Sequence, residues 1–226
     1  MSFNRQIFNN LESWKSNSGR KPLIIRGARQ VGKTTLVKFF AKSFSNSILL
    51  NLEKKCDRSY FEDFDDVNTI MELIFLSNNL SPIILSNTLL FLDEIQESPK
   101  AIQLLRYFYE ELPELAVIAA GSLLEFALKE VRSFPVGRVE FLYLYPMNFP
   151  EYLDAIGQKA ALEQFAQVPV KSFAHKTLMT LFHRYAIIGG MPEVIKTDSV
   201  KNNLADPLTT NESISVFYPH LTLRTT

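Results

Sequence analysis

An α/β fold with a mostly parallel sheet flanked by helices is what this sequence predicts, and three observations lead to it. Short continuous apolar runs recur through the first 146 residues, as strands buried on both faces require. Segments with helical periodicity separate those runs, which implies crossover connections between parallel strands. After Pro146 the apolar runs stop and helical patterns take over. The expected organisation is therefore a sheet core over 1–146, a small helical, lid-like subdomain over 147–198, and an atypical tail over 199–226.

The strands follow in order. Leu23-Ile24-Ile25 is entered through Pro22 and ends at Gly27, and Ser47 to Leu52 gives the second run. Leu89 to Leu92 ends at Asp93, Leu115 to Ala120 ends at Gly121, and Val139 to Leu144 ends before Pro146. Between them, Thr34 to Ser43 reads as a helix after the first strand. Ile70, Leu73 and Ile74 share a helical face behind a Thr69-x-x-Glu72 capping box. Ile102, Leu105, Tyr109 and Leu112 recur at helical spacing, with Ser98 as N-cap and Pro99 in the first turn. In the second half, helices are expected over 149–156, 160–167 and 172–188, the last stopped by Gly189-Gly190. From Ser199 onward the chain is rich in Ser, Thr and Asn and loses helical periodicity.

Composition limits the function classes. The chain has 226 residues, 46% hydrophobic and 21% charged, an ordinary globular balance with room for a real core. Lys plus Arg is 24 and Asp plus Glu is 24, so the net charge is zero. That argues against a nucleic-acid binder held by bulk charge and leaves little self-repulsion to keep the chain soluble without a partner. The one cysteine, Cys56, cannot form an internal disulfide, and the scattered His175, His183 and His220 build no zinc site. The N-terminus lacks the apolar stretch of a secretory signal, and no run reaches the roughly 18 apolar residues of a membrane span. The expected location is cytoplasmic.

The chemistry is concentrated after the first strand. Gly27-Ala28-Arg29-Gln30-Val31-Gly32-Lys33-Thr34 matches G-x-x-x-x-G-K-[ST] with a strand before it and a helix after it. Such a loop turns its N–H groups inward to cradle phosphate oxygens, and the following helix adds its positive end. Residues 27–35, Thr35 included, are the candidate nucleotide-binding set. Lys33 is placed to reach the β- and γ-phosphates and Thr34 to ligate Mg²⁺. The fold class sharpens to a P-loop NTPase three-layer fold with a mostly parallel sheet, plus a small helical subdomain. Downstream, the strand ending in Asp93-Glu94 occupies the Walker B position. Asp93 is the second metal candidate, and Glu94 the group that orients and deprotonates the attacking water.

Three further residues carry two readings each. Ser122, at the tip of the fourth strand, is either a sensor of the γ-phosphate or attacking water, or the N-cap of a Ser122-x-x-Glu125 capping box. Arg138 is either a surface ion-pair arginine or a group that stabilises transition-state charge, in cis or from a neighbouring subunit. Arg29 is either a phosphate clamp or the partner of a nearby acid. Lys54, Lys55 and Arg58 form a small basic cluster interrupted by Asp57, which reads as a solvated face.

Gly27-Ala-Arg-Gln-Val-Gly-Lys-Thr-Thr35, Leu92-Asp-Glu-Ile-Gln96, Ala120-Gly-Ser-Leu-Leu124, Ser133-Phe-Pro-Val-Gly-Arg138, Tyr145-Pro-Met-Asn-Phe-Pro-Glu151 and Gly189-Gly-Met-Pro-Glu193 stand in one order. Together, from about Asn4 to Lys196, they resemble the bacterial and archaeal AAA+ ATP-binding proteins of the type-14 AAA group. The resemblance implies ATP and Mg²⁺ as cofactors, with Lys33 and Thr34 on the nucleotide, Asp93 on the metal and Glu94 on the water. It also matches Gly121-Ser122 and Gly137-Arg138 to the family pattern. Members of that group usually continue into a second domain, whereas Leu204 to Thr226 does not resemble that continuation, so a truncated or frame-shifted member is expected. The implied function is a Mg²⁺-dependent ATPase acting as motor or switch on an unidentified protein or nucleic-acid client, as a monomer or a homo-oligomer. The alternative is a nucleotide-binding regulatory module with little hydrolysis. A small-molecule kinase is the weakest reading, because Asp-Glu favours water as acceptor.

Overall fold

The computed structural model describes residues 3–80, 82–122 and 135–201. Two compact units divide the chain, Met1–Tyr145 and Pro146–Thr226. The first holds a five-stranded sheet in the order β2-β3-β4-β1-β5. The strands are β1 (Leu23–Arg26), β2 (Asn46–Asn51), β3 (Thr88–Asp93), β4 (Ala116–Ala120) and β5 (Glu140–Tyr143), and every pairing is parallel. All five lie where the apolar runs predict them. The register sets Asn51 beside Asp93 and Asp93 beside Ala120, so three strand ends meet at one edge.

Alternation along each strand builds two cores. Ile24, Ile48, Leu50, Leu90, Leu92, Val117 and Ala119 face one side. There they pack on Phe61 of α3 (Lys55–Asp63), Ile70 and Ile74 of α4 (Val67–Ser77), and Ile102, Leu105 and Phe108 of α5 (Pro99–Glu111). Leu23, Ile25, Leu89, Phe91, Ala116, Ile118 and Ala120 face the other side. They meet Leu11 and Trp14 of α1 (Phe8–Ser16) and Val37 and Phe40 of α2 (Lys33–Phe40). This is the three-layer α/β arrangement, with side chains such as Phe40 and Phe108 contributing about 1.5–3 kcal/mol each by burial.

Caps set the helix limits. Ser98 caps α5 by accepting from the Ala101 N–H at 3.2 Å, with Pro99 in the first turn, as its sequence predicts. The expected Thr69-x-x-Glu72 box on α4 is corrected. The helix begins three residues earlier, at Val67, because Asp66 is the N-cap and accepts from the Thr69 N–H at 2.8 Å. Helices α1 and α3 bury only one or two side chains each and were not expected from the sequence.

The second unit contains α6 (Phe149–Ala155), α7 (Lys159–Phe165), α8 (Ser172–Ile188) and α9 (Pro192–Lys201). Asn148 and Glu151 form a capping box at the start of α6. An aromatic cluster joins three of the helices: Phe149 meets Phe165 and Phe182 edge-on at ring separations of 5.3 and 5.2 Å, and Tyr185 at 5.6 Å. Arg184 donates to both carboxylate oxygens of Asp198 at 2.9 Å, tying α8 to α9. Gly190 follows the end of α8, where a Cβ would overlap the Met147 carbonyl oxygen. The tail beyond 201, the Leu123–Leu124 and Ser133–Phe134 parts of the quoted motifs, and Glu125 lie outside the described residues.

Candidate nucleotide-binding site

The site grows from the end of β1. Gly27 has φ +151°, and a Cβ there would overlap the Leu144 carbonyl oxygen, so the chain can turn at this point only without a side chain. The loop is strained at Gln30, at φ +63°, whereas Gly32, which opens α2, adopts its φ of +96° freely. Val31 is fully buried and anchors the loop, while Ala28, Arg29 and Gln30 are exposed at its tip. The Arg5 guanidinium braces it from below, with Nη1 donating to the Val31 carbonyl at 3.2 Å and Nη2 to the Tyr145 carbonyl at 2.6 Å. Nothing in the sequence marks Arg5 for this task; it is a lone arginine ahead of a weakly patterned helix.

Lys33, the first residue of α2, is buried, and its ammonium donates to the Gly27 and Ala28 carbonyls at 2.8 and 2.9 Å. Burial pulls its pKa below the ordinary lysine value, opposed by the charges of Glu94 and Asp93, while Arg29 adds to the depression. One residue on, the Thr34 hydroxyl donates to Asp93 Oδ2 at 2.8 Å. Asp93 ends β3, and its Oδ1 accepts from the Glu94 N–H at 3.2 Å. Burial pushes the Asp93 carboxyl above its ordinary range and the adjacent Glu94 charge adds to this, while the Thr34 hydrogen bond works the other way. A hydroxyl and a desolvated carboxylate held together form a hard-oxygen pair of the kind Mg²⁺ takes. The residues therefore fit the metal.

Glu94 sits in the left-handed region at φ +51° and ψ +47° and leads into a 3₁₀ turn, Ile95–Glu97. Its Oε2 accepts from Gln96 Nε2 at 2.7 Å and, at a long 3.5 Å, from the Ser122 hydroxyl. Ser122 and Glu94 are thus brought together. Gln96 belongs to the Leu92–Gln96 motif, yet its sequence position alone gives no role. Thr35 is exposed on α2.

Arg138 is not brought to this site within the chain. Its Nε donates to Glu110 Oε1 at 2.8 Å, beside Arg106 Nε on the same carboxylate at 3.0 Å. These two guanidinium contacts hold the Glu110 carboxyl below the ordinary range. Arg138 precedes β5, whose first residue, Glu140, pairs with Leu23 at the start of β1. The phosphate loop leaves the far end of that strand, about 13 Å away at 3.3 Å per residue. Arg138 thus stands apart from the loop, on Glu110. Arg58 pairs with Glu62 at 2.8 Å, and Cys56 is exposed. No cluster of three or more His, Cys, Asp or Glu suited to a metal, and no helix long and apolar enough to cross a membrane, occurs among the described residues.

The model of one protein family, AAA_14, described as an AAA domain, matches residues 19–153. No curated protein matches the sequence. Among solved structures, a Walker-type ATPase of Pyrococcus abyssi shares the fold at a TM-score of 0.59 and 17% identity, over 96% of this chain and 72% of that one. A signal transduction ATPase with numerous domains and a tetratricopeptide repeat sensor, from Pyrococcus horikoshii, gives 0.54 and 13% identity over 96% of this chain. This chain spans 33% of that protein's length. At these identities the likeness is one of fold.

Proposed function

Because this chain belongs to the AAA domain family, whose model covers residues 19–153, we propose that it binds ATP with Mg²⁺ and hydrolyses it, working as a motor or switch on a protein or nucleic-acid client. The observation that carries this reading is the 2.8 Å contact of Thr34 with Asp93, made beside a buried Lys33. Phosphate oxygens would replace the Gly27 and Ala28 carbonyls as acceptors for Lys33, whose charge is then paired with an anion instead of a peptide dipole. Thr34 and Asp93 would hold Mg²⁺, which when bound neutralises developing charge on the phosphates. Glu94 accepts a proton from the attacking water and so raises its nucleophilicity. Ser122, beside Glu94, senses the γ-phosphate or the attacking water, and the helical unit over 147–198 serves as the lid-like subdomain.

One observation favours the low-turnover alternative for a lone chain. Arg138 is engaged with Glu110 away from the loop, so any arginine it contributes has to serve a neighbouring copy. The discriminating experiment is Mg²⁺-dependent ATP turnover, with and without DNA, for the wild type and Glu94→Gln. Glu94→Gln is expected to keep ATP binding and lose roughly 10²-fold or more of turnover, the usual worth of a general base. Slow turnover that this substitution leaves unchanged would favour the binding module.

A further inference from the structure

We propose that Gln96 is a positioning residue for the Glu94 carboxylate, an inference that rests on the ATPase reading of the site. The contact is built from the turn. Glu94 at φ +51° starts the 3₁₀ turn, the Glu97 N–H donates to the Glu94 carbonyl at 3.0 Å, and the Ser98 N–H donates to that of Ile95 at 3.0 Å. Ile95 is fully buried beneath it and Ser98 caps α5, so the short turn is fastened at its base and at its end. This brings the Gln96 side chain back onto Glu94, with Nε2 at 2.7 Å from Oε2.

The amide can face the carboxylate in one orientation only. A carboxylate has no hydrogen to donate, so the NH₂ must point to it, and the flipped amide would set two oxygens against each other. The chosen orientation leaves Gln96 Oε1 buried with no hydrogen-bond partner among the described residues. The amide is therefore oriented by the carboxylate it faces.

The clamp divides the labour between the two carboxylate oxygens. Oε2 takes Gln96 at 2.7 Å and Ser122 at 3.5 Å, while Oε1 has no donor among the described residues. Gln96 therefore turns one chosen oxygen outward as the proton acceptor.

The test is steady-state ATPase kinetics of Gln96→Leu, which keeps the bulk and removes the donor, with Gln96→Met as a second, unbranched replacement should Leu fail to fold. The expected result is a kcat reduced about tenfold with KM for ATP within about twofold. Because Gln96 acts through Glu94, the pair Glu94→Gln with Gln96→Leu should be no slower than Glu94→Gln alone. An unchanged kcat, or losses that multiply in the double variant, would overturn the proposal while wild-type turnover and its loss in Glu94→Gln still stand. A wild type without Mg²⁺-dependent turnover would overturn the ATPase reading and this inference together.

Discussion

Lys33 and Asp93 are both less comfortable as ions in the folded chain than in water. Burial lowers the lysine's pKa and raises that of the aspartate. For Asp93 the sign follows directly. The folded chain holds the proton more tightly than the unfolded chain, so the carboxylate is a liability above its raised pKa and neutral in effect below the ordinary carboxylate range. Asp93→Asn, which leaves Thr34 an acceptor, should therefore raise the nucleotide-free melting temperature at neutral pH. That advantage should shrink as pH falls through the raised value, and Mg²⁺ plus ATP should stabilise the variant less than the wild type; melting curves across pH read all three. Lys33→Ala should weaken ATP binding by roughly tenfold or more, about 1.4 kcal/mol by calorimetry. Most of this site is legible in the sequence, since a phosphate loop must use glycines, a lysine and a hydroxyl in fixed order. Arg5 and the grip of Gln96 are not, because each depends on a contact that only the folded backbone creates.

The strands were legible because apolar residues run together in each of them, at the exposed edges β2 and β5 as well as in the buried centre. The helices α1 and α3, in contrast, bury few side chains, Leu11 and Trp14 in the one and Phe61 in the other. The start of α4 was misplaced because Thr69 resembles a cap, while Asp66 holds the position three residues before it and binds both the N–H and the hydroxyl of Thr69, at 2.8 and 2.6 Å. Ser98 does the same work for α5 from a buried position. Ser98→Ala should lower stability by about 1 kcal/mol in urea unfolding, the usual worth of an N-cap. Since α5 follows the Glu94 turn directly, the variant should also loosen Glu94 and lower kcat more than it raises KM.

For the whole molecule, the placement of Arg138 decides how a site is completed. It stands at the edge of the sheet opposite the phosphate loop, paired with Glu110 on α5. If it serves a second copy, specific activity should rise with protein concentration. Arg138→Ala and Glu94→Gln should each be inactive alone, yet recover measurable turnover when mixed, because one chain then supplies the arginine and the other the base. Mixtures that stay inactive would assign Arg138 to a purely structural ion pair. The strand order has a separate consequence, for the order of events during synthesis. β1, which carries the phosphate loop, pairs with β4 from residue 116 on one side and β5 from residue 140 on the other. On a growing chain the loop emerges early but has no flanking strands until some hundred residues later. ATP can thus be captured only by a chain already made through β5, and its binding would stabilise that finished core by mass action. Nucleotide would then act as a late checkpoint, favouring nascent chains whose sheet has closed over those still waiting for their last strand.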